Sequence, residues 1–365
     1  MRSVMISGGG TGGHIFPAIS IAQEIKSRFP DCRILFVGAK GKMEMDKVPQ
    51  AGFEIKGLPI AGIQRNISLG NFLLPFKLVY SVLFSIILIL KNKPQVVIGV
   101  GGYASGPLLI AAAVLGRRMV IQEQNSFPGI TNRFLSARAS LICVAYPGME
   151  KFFPKSVIRI TGNPVRKNLL ETSLIEKEKA WSFFGIPKDK KVLFVTGGSL
   201  GAKSVNEAIA TFLPLLTAHK LFLIWQTGKP FFPTAQKLIT DEIKSHVFVT
   251  DFLTEMNLAY ACADVVVSRA GAGAISEIAI VGLPSVLVPY PYAAEDHQTH
   301  NAKALADAGA AVLVPDRNVK SDLQDILLKL LVDDKNLTEM KARLSAFARP
   351  SATIDIVNAI EQVVS

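Results

Sequence analysis

A glycine-rich run, Gly8-Gly9-Gly10-Thr11-Gly12-Gly13, ends directly on His14. Glycines let a backbone approach a ligand closely, and the start of a following helix offers N–H groups and positive dipole to an anion. The spacing GxGxxG after a strand is shared with nicotinamide-binding folds, but these place an acid ~20 residues on, where it holds the ribose. Here the second strand ends Val37-Gly38-Ala39-Lys40, which disfavours a nicotinamide cofactor. An imidazole accepts a proton near neutral pH. His14 is therefore a candidate general base facing a ligand, or a structural histidine bonding the loop carbonyls. Its local sequence leaves both open.

Three more clusters carry chemistry. The run Gly197-Gly198-Ser199-Leu200-Gly201-Ala202-Lys203-Ser204 misses the P-loop spacing because Ala202 separates Gly201 from Lys203, which argues against NTP hydrolysis. It still suits a phosphate-facing nest, with Ser199 as an added hydroxyl donor. Residues 270–277 put small side chains at a helix start, with Ser276 and Glu277 in the next turn. That leaves room for a diphosphate. The carboxylate either accepts from ribose hydroxyls or simply complements the helix dipole. Asp296-His297-Gln298-Thr299-His300-Asn301 is a dense polar run. Asp296, His297 and His300 are metal-ligand types, but no third strong ligand cluster and no Asp-x-Asp pair accompanies them. Hydrogen bonding to sugar hydroxyls is preferred, and no metal site is predicted.

These loops need a frame, and the sequence repeats one. Val4-Met5-Ile6-Ser7, Val96-Val97-Ile98, Val192-Leu193-Phe194-Val195 and Val265-Val266-Val267 each run into a glycine loop and then a helical pattern. Short β-branched runs between such loops and helices read as buried parallel strands. The predicted class is α/β, with two Rossmann-like domains facing across a cleft and the loops at the carboxyl ends of the strands. The expected division is residues 1–163, residues 164–345, and a C-terminal helix over 346–365, kinked at Pro350, that packs back on the first domain. A charged stretch over 171–179 is expected to open the second half as a solvated helix.

Residues 72–90, FLLPFKLVYSVLFSIILIL, are the most apolar of the chain, with Lys77 the only charge. Length alone permits a membrane span. Pro75 and Lys77 shorten the uninterrupted run, the stretch lies between two strands of one domain, and no second span returns the chain. A helix with a membrane-surface face is preferred over a buried crossover helix or a true span. Lys91, Lys93, Arg117 and Arg118 nearby suit anionic headgroups.

The chain has 365 residues, 49% of them hydrophobic, with 40 Lys+Arg against 29 Asp+Glu, a net +11. That is enough for two filled cores, and the charge suits an anionic partner or a merely basic surface. No dense Lys/Arg run with interleaved aromatics appears, so no nucleic acid is expected. Cys32, Cys143 and Cys262 are far apart, which fits a reducing compartment rather than a disulfide framework. The first residues lack the apolar core of a signal peptide, which predicts a cytoplasmic chain.

GGGTGGH followed by FPA, GVGGYASGP, EQNSFPG, GNPVR, GGSLGA, the small-residue loop ending SE, and DHQTHNA follow one another across residues 8–302. In this order they resemble the MurG family, the N-acetylglucosaminyltransferases of peptidoglycan synthesis within glycosyltransferase family 28. The resemblance implies the GT-B architecture and an inverting, metal-independent transfer without cofactor. The donor is UDP-GlcNAc, and the acceptor is the MurNAc 4-hydroxyl of lipid I (undecaprenyl-pyrophosphoryl-MurNAc-pentapeptide). It implies a peripheral location on the cytoplasmic face of the inner membrane, on an anionic membrane surface, with other cell-wall synthesis proteins as partners. For such a transfer His14 is the candidate catalytic base, and the family's nucleotide-sugar contacts carry over to this sequence as follows. Thr11, Gly12 and Gly13 lie near the sugar and diphosphate, and Asn125 faces the GlcNAc. Arg166 and Ser199 hold the nucleotide, and Leu253 offers backbone groups to the uracil. Ala272, Gly273, Ala274, Ile275 and Ser276 cradle the diphosphate, with Glu277 on the ribose. Gln298 binds GlcNAc hydroxyls beside His297. Two positions depart from the family pattern: Gln122 stands where His is common, and residues 270–274 are smaller than a Ser-Gly-Ala-Leu-Thr loop, which leaves only backbone donors at Ala274. Rival readings are a non-hydrolysing UDP-GlcNAc 2-epimerase, a transferase acting on another lipid acceptor, and a non-catalytic nucleotide-sugar-binding subunit with no use for His14.

Overall fold

The computed structural model describes residues 1–61, 74–165, 167–170, 172, 175–198 and 200–365. Its contacts divide the chain into two units, Met1–Val165 with Arg349–Ser365, and Arg166–Ala348.

The first unit is a seven-stranded parallel sheet in the order β3-β2-β1-β4-β5-β6-β7. The strands are β1 Ser3–Ser7, β2 Arg33–Ala39, β3 Glu54–Leu58, β4 Val96–Gly99, β5 Met119–Glu123, β6 Leu141–Val144 and β7 Ile158–Ile160. The side-chain period of two sends neighbouring residues to opposite faces. Met5, Val97 and Ile121 enter one core layer. Val4, Ile6, Ile98 and Val120 enter the other. Both layers are covered, as a parallel sheet requires. On one side lie α1 Gly12–Arg28 and the C-terminal helix Ala352–Val364, whose Ile356 and Ile360 meet Ile21 and Ile25. Arg28 on α1 bonds Glu361 and Asn358 of that helix.

On the other side are α3 Leu74–Asn92 and α4 Gly106–Val114, while α2 Glu44–Gln50, at the β2–β3 crossover, puts Val48 into the α1 layer. Among the described residues α3 is the one helix long and apolar enough to cross a membrane. It lies between β3 and β4 of one sheet and packs on α4. Its burial is inverted relative to an ordinary surface helix. Ser81 and Ser85 are buried, with Leu88 and Ile89, while Phe76, Val79, Tyr80, Leu83, Ile87 and Leu90 are exposed. Leu88 and Ile89 join Ala111 and Ala112 of α4 in one core layer, and Ser85 Oγ donates to the Ser81 carbonyl at 2.7 Å. Pro75 sits in the first turn, where no N–H is needed. Residues 72 and 73 lie outside the described residues.

The second unit is a six-stranded parallel sheet in the order β10-β9-β8-β11-β12-β13. Its strands are β8 Lys191–Thr196, β9 Leu221–Gln226, β10 Val247–Thr250, β11 Val265–Arg269, β12 Ser285–Val288 and β13 Val312–Leu313. Its core gathers Leu193, Val195, Leu223, Trp225, Val265 and Val286 against Ile209, Phe212, Leu323 and Leu327. Of the charged stretch expected as a helix over 171–179, residues 171, 173 and 174 lie outside the described residues. Ile175 and Glu176 are outside any helix, and the helix is Lys177–Phe184, because Ala180 and Phe184 give it a buried face to pack. The C-terminal helix begins at Ala352, past Pro350, rather than running through it.

Candidate functional site

Strand order reverses between β1 and β4 in the first sheet, and between β8 and β11 in the second. At such switch points the loops leaving two strands diverge and open a crevice at their carboxyl ends.

In the first unit those loops carry residues 8–13 and 100–105. Thr11 is the extended N-cap of α1, so Gly12, Gly13 and His14 form its first turn. Pro17 has no N–H to give the Gly13 carbonyl, which is not tied into the helix ladder. His14 is half-buried and its Nδ1 lies 3.0 Å from Thr11 Oγ1. Across the switch point, Gly101 and Gly102 have φ +88° and +77°. A Cβ on Gly101 would stand 2.9 Å from His14 Cδ2, and one on Gly102 3.2 Å from His14 Nδ1. The glycine pair is thus the wall against which the imidazole packs.

Asn125 follows β5. Its backbone N–H and its Nδ2 both donate to Glu123 Oε1, at 3.0 and 3.1 Å. Glu123 Oε2 accepts from Gly129 N–H at 3.2 Å and Asn132 Nδ2 at 2.8 Å. Glu123 is 1% exposed. Burial pushes its carboxyl above the usual range, and the four donors oppose that rise only in part. Gln122 reaches away from this cluster, donating to Asn163 Oδ1 at 3.1 Å.

Sequence reasoning missed Glu44, Tyr103 and Glu123 in this region. Glu44, the first residue of α2, is fully buried, and its carboxylate accepts from Gly10 N–H and from Ala39 N–H. Tyr103 packs on the other side of Gly10, its Cε1 2.9 Å from where a Cβ would be. Burial and then the Glu44 charge raise the Tyr103 phenol above its ordinary value. A carboxylate opening a helix reads in sequence as a dipole complement, so Glu44 gave no signal. Glu123 lay inside a recognised motif but had only its neighbour Asn125 to mark it.

In the second unit Gly271 is the extended N-cap of the helix Ala272–Val281. No side chain caps it, and Cβ atoms on Gly271 or Gly273 would meet nothing within 4 Å. Ala272, Gly273 and Ala274 therefore present first-turn N–H groups toward open space. Ile275 is buried, and Ser276 Oγ donates back to the Ala272 carbonyl at 2.9 Å. Glu277 is half-buried and its Oε2 accepts from Tyr260 OH at 3.3 Å. Leu253 has its side chain buried, beside an exposed Phe252.

Gln298 Oε1 accepts from Tyr290 N–H at 2.9 Å, and His297 Nδ1 lies 2.6 Å from the Ala294 carbonyl. Asp296 Oδ1 accepts from Thr299 at 2.6 Å. Glu295 and Asp296 both hold left-handed backbone, φ +53° and +52°, a conformation that costs ~1–3 kcal/mol per residue. Arg269, at the end of β11, ties this region together. It bonds the Val288 and Pro289 carbonyls, Asp316 and Ser204. Among the described residues no group of three His, Cys, Asp or Glu side chains is placed to hold a metal. Arg166 and Ser199 lie outside the described residues.

Comparison with known proteins gives this geometry a lineage. Residues 4–144 match the glycosyltransferase family 28 N-terminal domain, and residues 192–354 its C-terminal domain. A Flavobacterium psychrophilum protein named UDP-N-acetylglucosamine–N-acetylmuramyl-(pentapeptide) pyrophosphoryl-undecaprenol N-acetylglucosamine transferase is 47% identical over 360 residues, covering 99% of this chain and 97% of that protein. A protein of the same name from Parabacteroides distasonis is 48% identical over 361 residues, covering 99% and 98%. The crystal structure of Acinetobacter baumannii MurG superposes with a TM-score of 0.80 at 31% identity, covering 99% of this chain and 100% of that one. A UDP-GlcNAc 2-epimerase from Neisseria meningitidis shares the fold, with a TM-score of 0.68 at 15% identity. The chain belongs to glycosyltransferase family 28.

Proposed function

We propose that this protein is an inverting transferase that moves GlcNAc from UDP-GlcNAc to the 4-hydroxyl of MurNAc in lipid I, making lipid II. The observation that supports it most is His14, packed at the switch point of the first sheet in a chain similar over its full length to transferases of that name. In the tautomer whose Nδ1–H donates to Thr11 Oγ1, Nε2 carries the lone pair. It takes the proton of the acceptor hydroxyl as that oxygen attacks the anomeric carbon. The bond from that carbon to the diphosphate breaks, and UDP leaves with the electron pair. Positive charge grows on the sugar and negative charge on the diphosphate.

The second unit is assigned to the donor. The first-turn N–H groups at Ala272, Gly273 and Ala274 meet the growing diphosphate charge, already oriented before reaction. Glu277, steadied by Tyr260, accepts from the ribose hydroxyls. Leu253 offers its backbone to the uracil, and Gln298, fixed by Tyr290, keeps its amide N–H groups for the sugar. Arg166 and Ser199 are assigned to the nucleotide on the family pattern. The first unit is assigned to the acceptor. The acceptor's polyprenyl tail stays in the bilayer, so the enzyme is proposed to dock peripherally on the cytoplasmic, anionic face of the inner membrane, alongside other cell-wall synthesis proteins. The outward apolar face of α3 supports that assignment.

The two assignments separate kinetically. His14→Ala lowers kcat by ~10²–10⁴-fold, the usual worth of a general base, with the KM for UDP-GlcNAc little changed. Glu277→Ala raises that KM and spares kcat. A His14→Ala kcat within tenfold of wild type removes the base role, and an unchanged KM in Glu277→Ala removes that carboxylate from the ribose.

A further inference from the structure

The Glu44 carboxylate is fully buried, and among the described residues it has no cationic partner. Its hydrogen bonds go to two backbone amides. Oε1 accepts from Ala39 N–H at 3.0 Å and, more weakly, from Gly10 N–H at 3.3 Å, and Oε2 accepts from Gly10 N–H at 3.2 Å. Burying a carboxylate without a counter-charge is costly, and it persists only where fixed donors replace water. Two glycines are shaped to it. A Cβ on Gly9 would stand 2.2 Å from Glu44 Oε1, and one on Gly38 2.6 Å from Glu44 Cγ.

From this anchor a chain of contacts runs to the candidate base. Gly10 is clamped between Glu44 and the Tyr103 ring. The Gly9 carbonyl abuts Gly102, where a Cβ would stand 2.3 Å from it, and Gly102 with Gly101 walls the His14 imidazole. Thr11, next along the loop from Gly10, holds His14 Nδ1. A formal phosphate-loop sequence thus spends its Gly10 N–H on a carboxylate of its own chain.

We propose that Glu44 is a positioning residue for the transfer step, acting through the glycine loop to hold Thr11 and His14 in the reactive arrangement. It touches no substrate. The inference rests on the transferase reading for its kinetic consequence, but its structural consequence stands apart from it. A glutamine at 44 that keeps its oxygen on Ala39 N–H replaces Oε2 by an NH2 group facing the Gly10 N–H, so Gly10 loses its closer acceptor and the loop loosens. Displacement of a base by about 1 Å costs up to ~10²-fold in rate.

The test uses the full-length protein. Glu44→Gln is expected to lower kcat by ~10–100-fold, with KM and equilibrium affinity for UDP-GlcNAc within about threefold of wild type. In a His14→Ala background the same substitution should cost less than about twofold, because its route to the chemistry is already gone. Losses that multiply, or a wild-type kcat in Glu44→Gln, overturn the proposal. Peptide-level hydrogen exchange over residues 8–15 is the arm independent of catalysis. Protection should fall in Glu44→Gln while the second unit stays unchanged, and unchanged loop protection overturns the proposal. Should Glu44→Gln fail to fold, Glu44→Asp keeps the charge but withdraws it by one methylene. The same kcat loss and faster exchange are expected, and wild-type values for both defeat the idea. If wild-type protein fails to transfer while the exchange result holds, the transferase reading fails and the loop anchor survives.

Discussion

At the residue scale, buried acids do the holding and an accessible imidazole is assigned the proton transfer. Glu123 shows how such an acid reports itself. Its carboxyl is raised by burial, so between the ordinary carboxylate range near 4.5 and its folded value the native state keeps a proton that the unfolded chain has lost. Its contribution to stability is therefore fullest at low pH and declines as pH rises through the folded pKa. Glu123→Gln removes that dependence and sets an amide against the N–H groups of Gly129 and Asn132. Chemical denaturation should find it less stable than wild type by ~2–4 kcal/mol, with a wider gap near pH 5 than at pH 8. A gap that widens toward alkaline pH would mean the sign is wrong. The cysteines make a simpler test. Burial pushes Cys143 and Cys262 up to about 12 and raises Cys32 as well. A thiol-specific reagent should modify none of them in the native protein and all of them in denaturant. His14 was legible in sequence because a glycine loop pointed at it. Glu44 was not, because its partners are amides on other segments and only the folded chain brings them together.

At the element scale, strands were the most legible feature, since a β-branched run ending in glycine has few other uses in an α/β chain. Within the charged stretch the described helix starts only at Lys177, because helix formation waits for a face to bury, which Ala180 and Phe184 supply. Helix α3 was legible as apolar but not as inverted. Nothing in 72–90 announces that its serines turn inward, because that depends on the sheet and the neighbouring helix it packs against. The outward face makes a prediction. Leu83 and Ile87 are 56% and 60% exposed. Leu83→Lys and Ile87→Lys should change stability by less than ~0.5 kcal/mol and still weaken retention on anionic lipid vesicles. Equal retention of wild type and both variants, by flotation, would remove α3 from the membrane contact. Gly102→Ala tests the loop wall in the same spirit. Its backbone is left-handed, and a Cβ would meet the Gly9 carbonyl at 2.3 Å. A loss of ~1–3 kcal/mol is expected, and an undiminished melting temperature would show that the loop yields freely.

At the scale of the whole molecule, the sequence divides into two similar halves because each is one doubly wound sheet with its own switch point. The motif order made the family legible, and the strand order explains why four of the seven motifs fall at the carboxyl ends of β1, β4, β8 and β11. What sequence could not supply is the set of long-range ties beneath the loops, Glu44 with Gly10 and Arg269 with Asp316 and Ser204. The central claim is a transfer, and it is tested most directly by following the sugar. Purified protein is incubated with radiolabelled UDP-GlcNAc and chelator, with and without a short-chain lipid I analogue, and label is measured in the lipid fraction. The account predicts label there only when the acceptor is present, undiminished by the chelator. Conversion of UDP-GlcNAc to its 2-epimer without transfer, or no label in lipid at all, would contradict it.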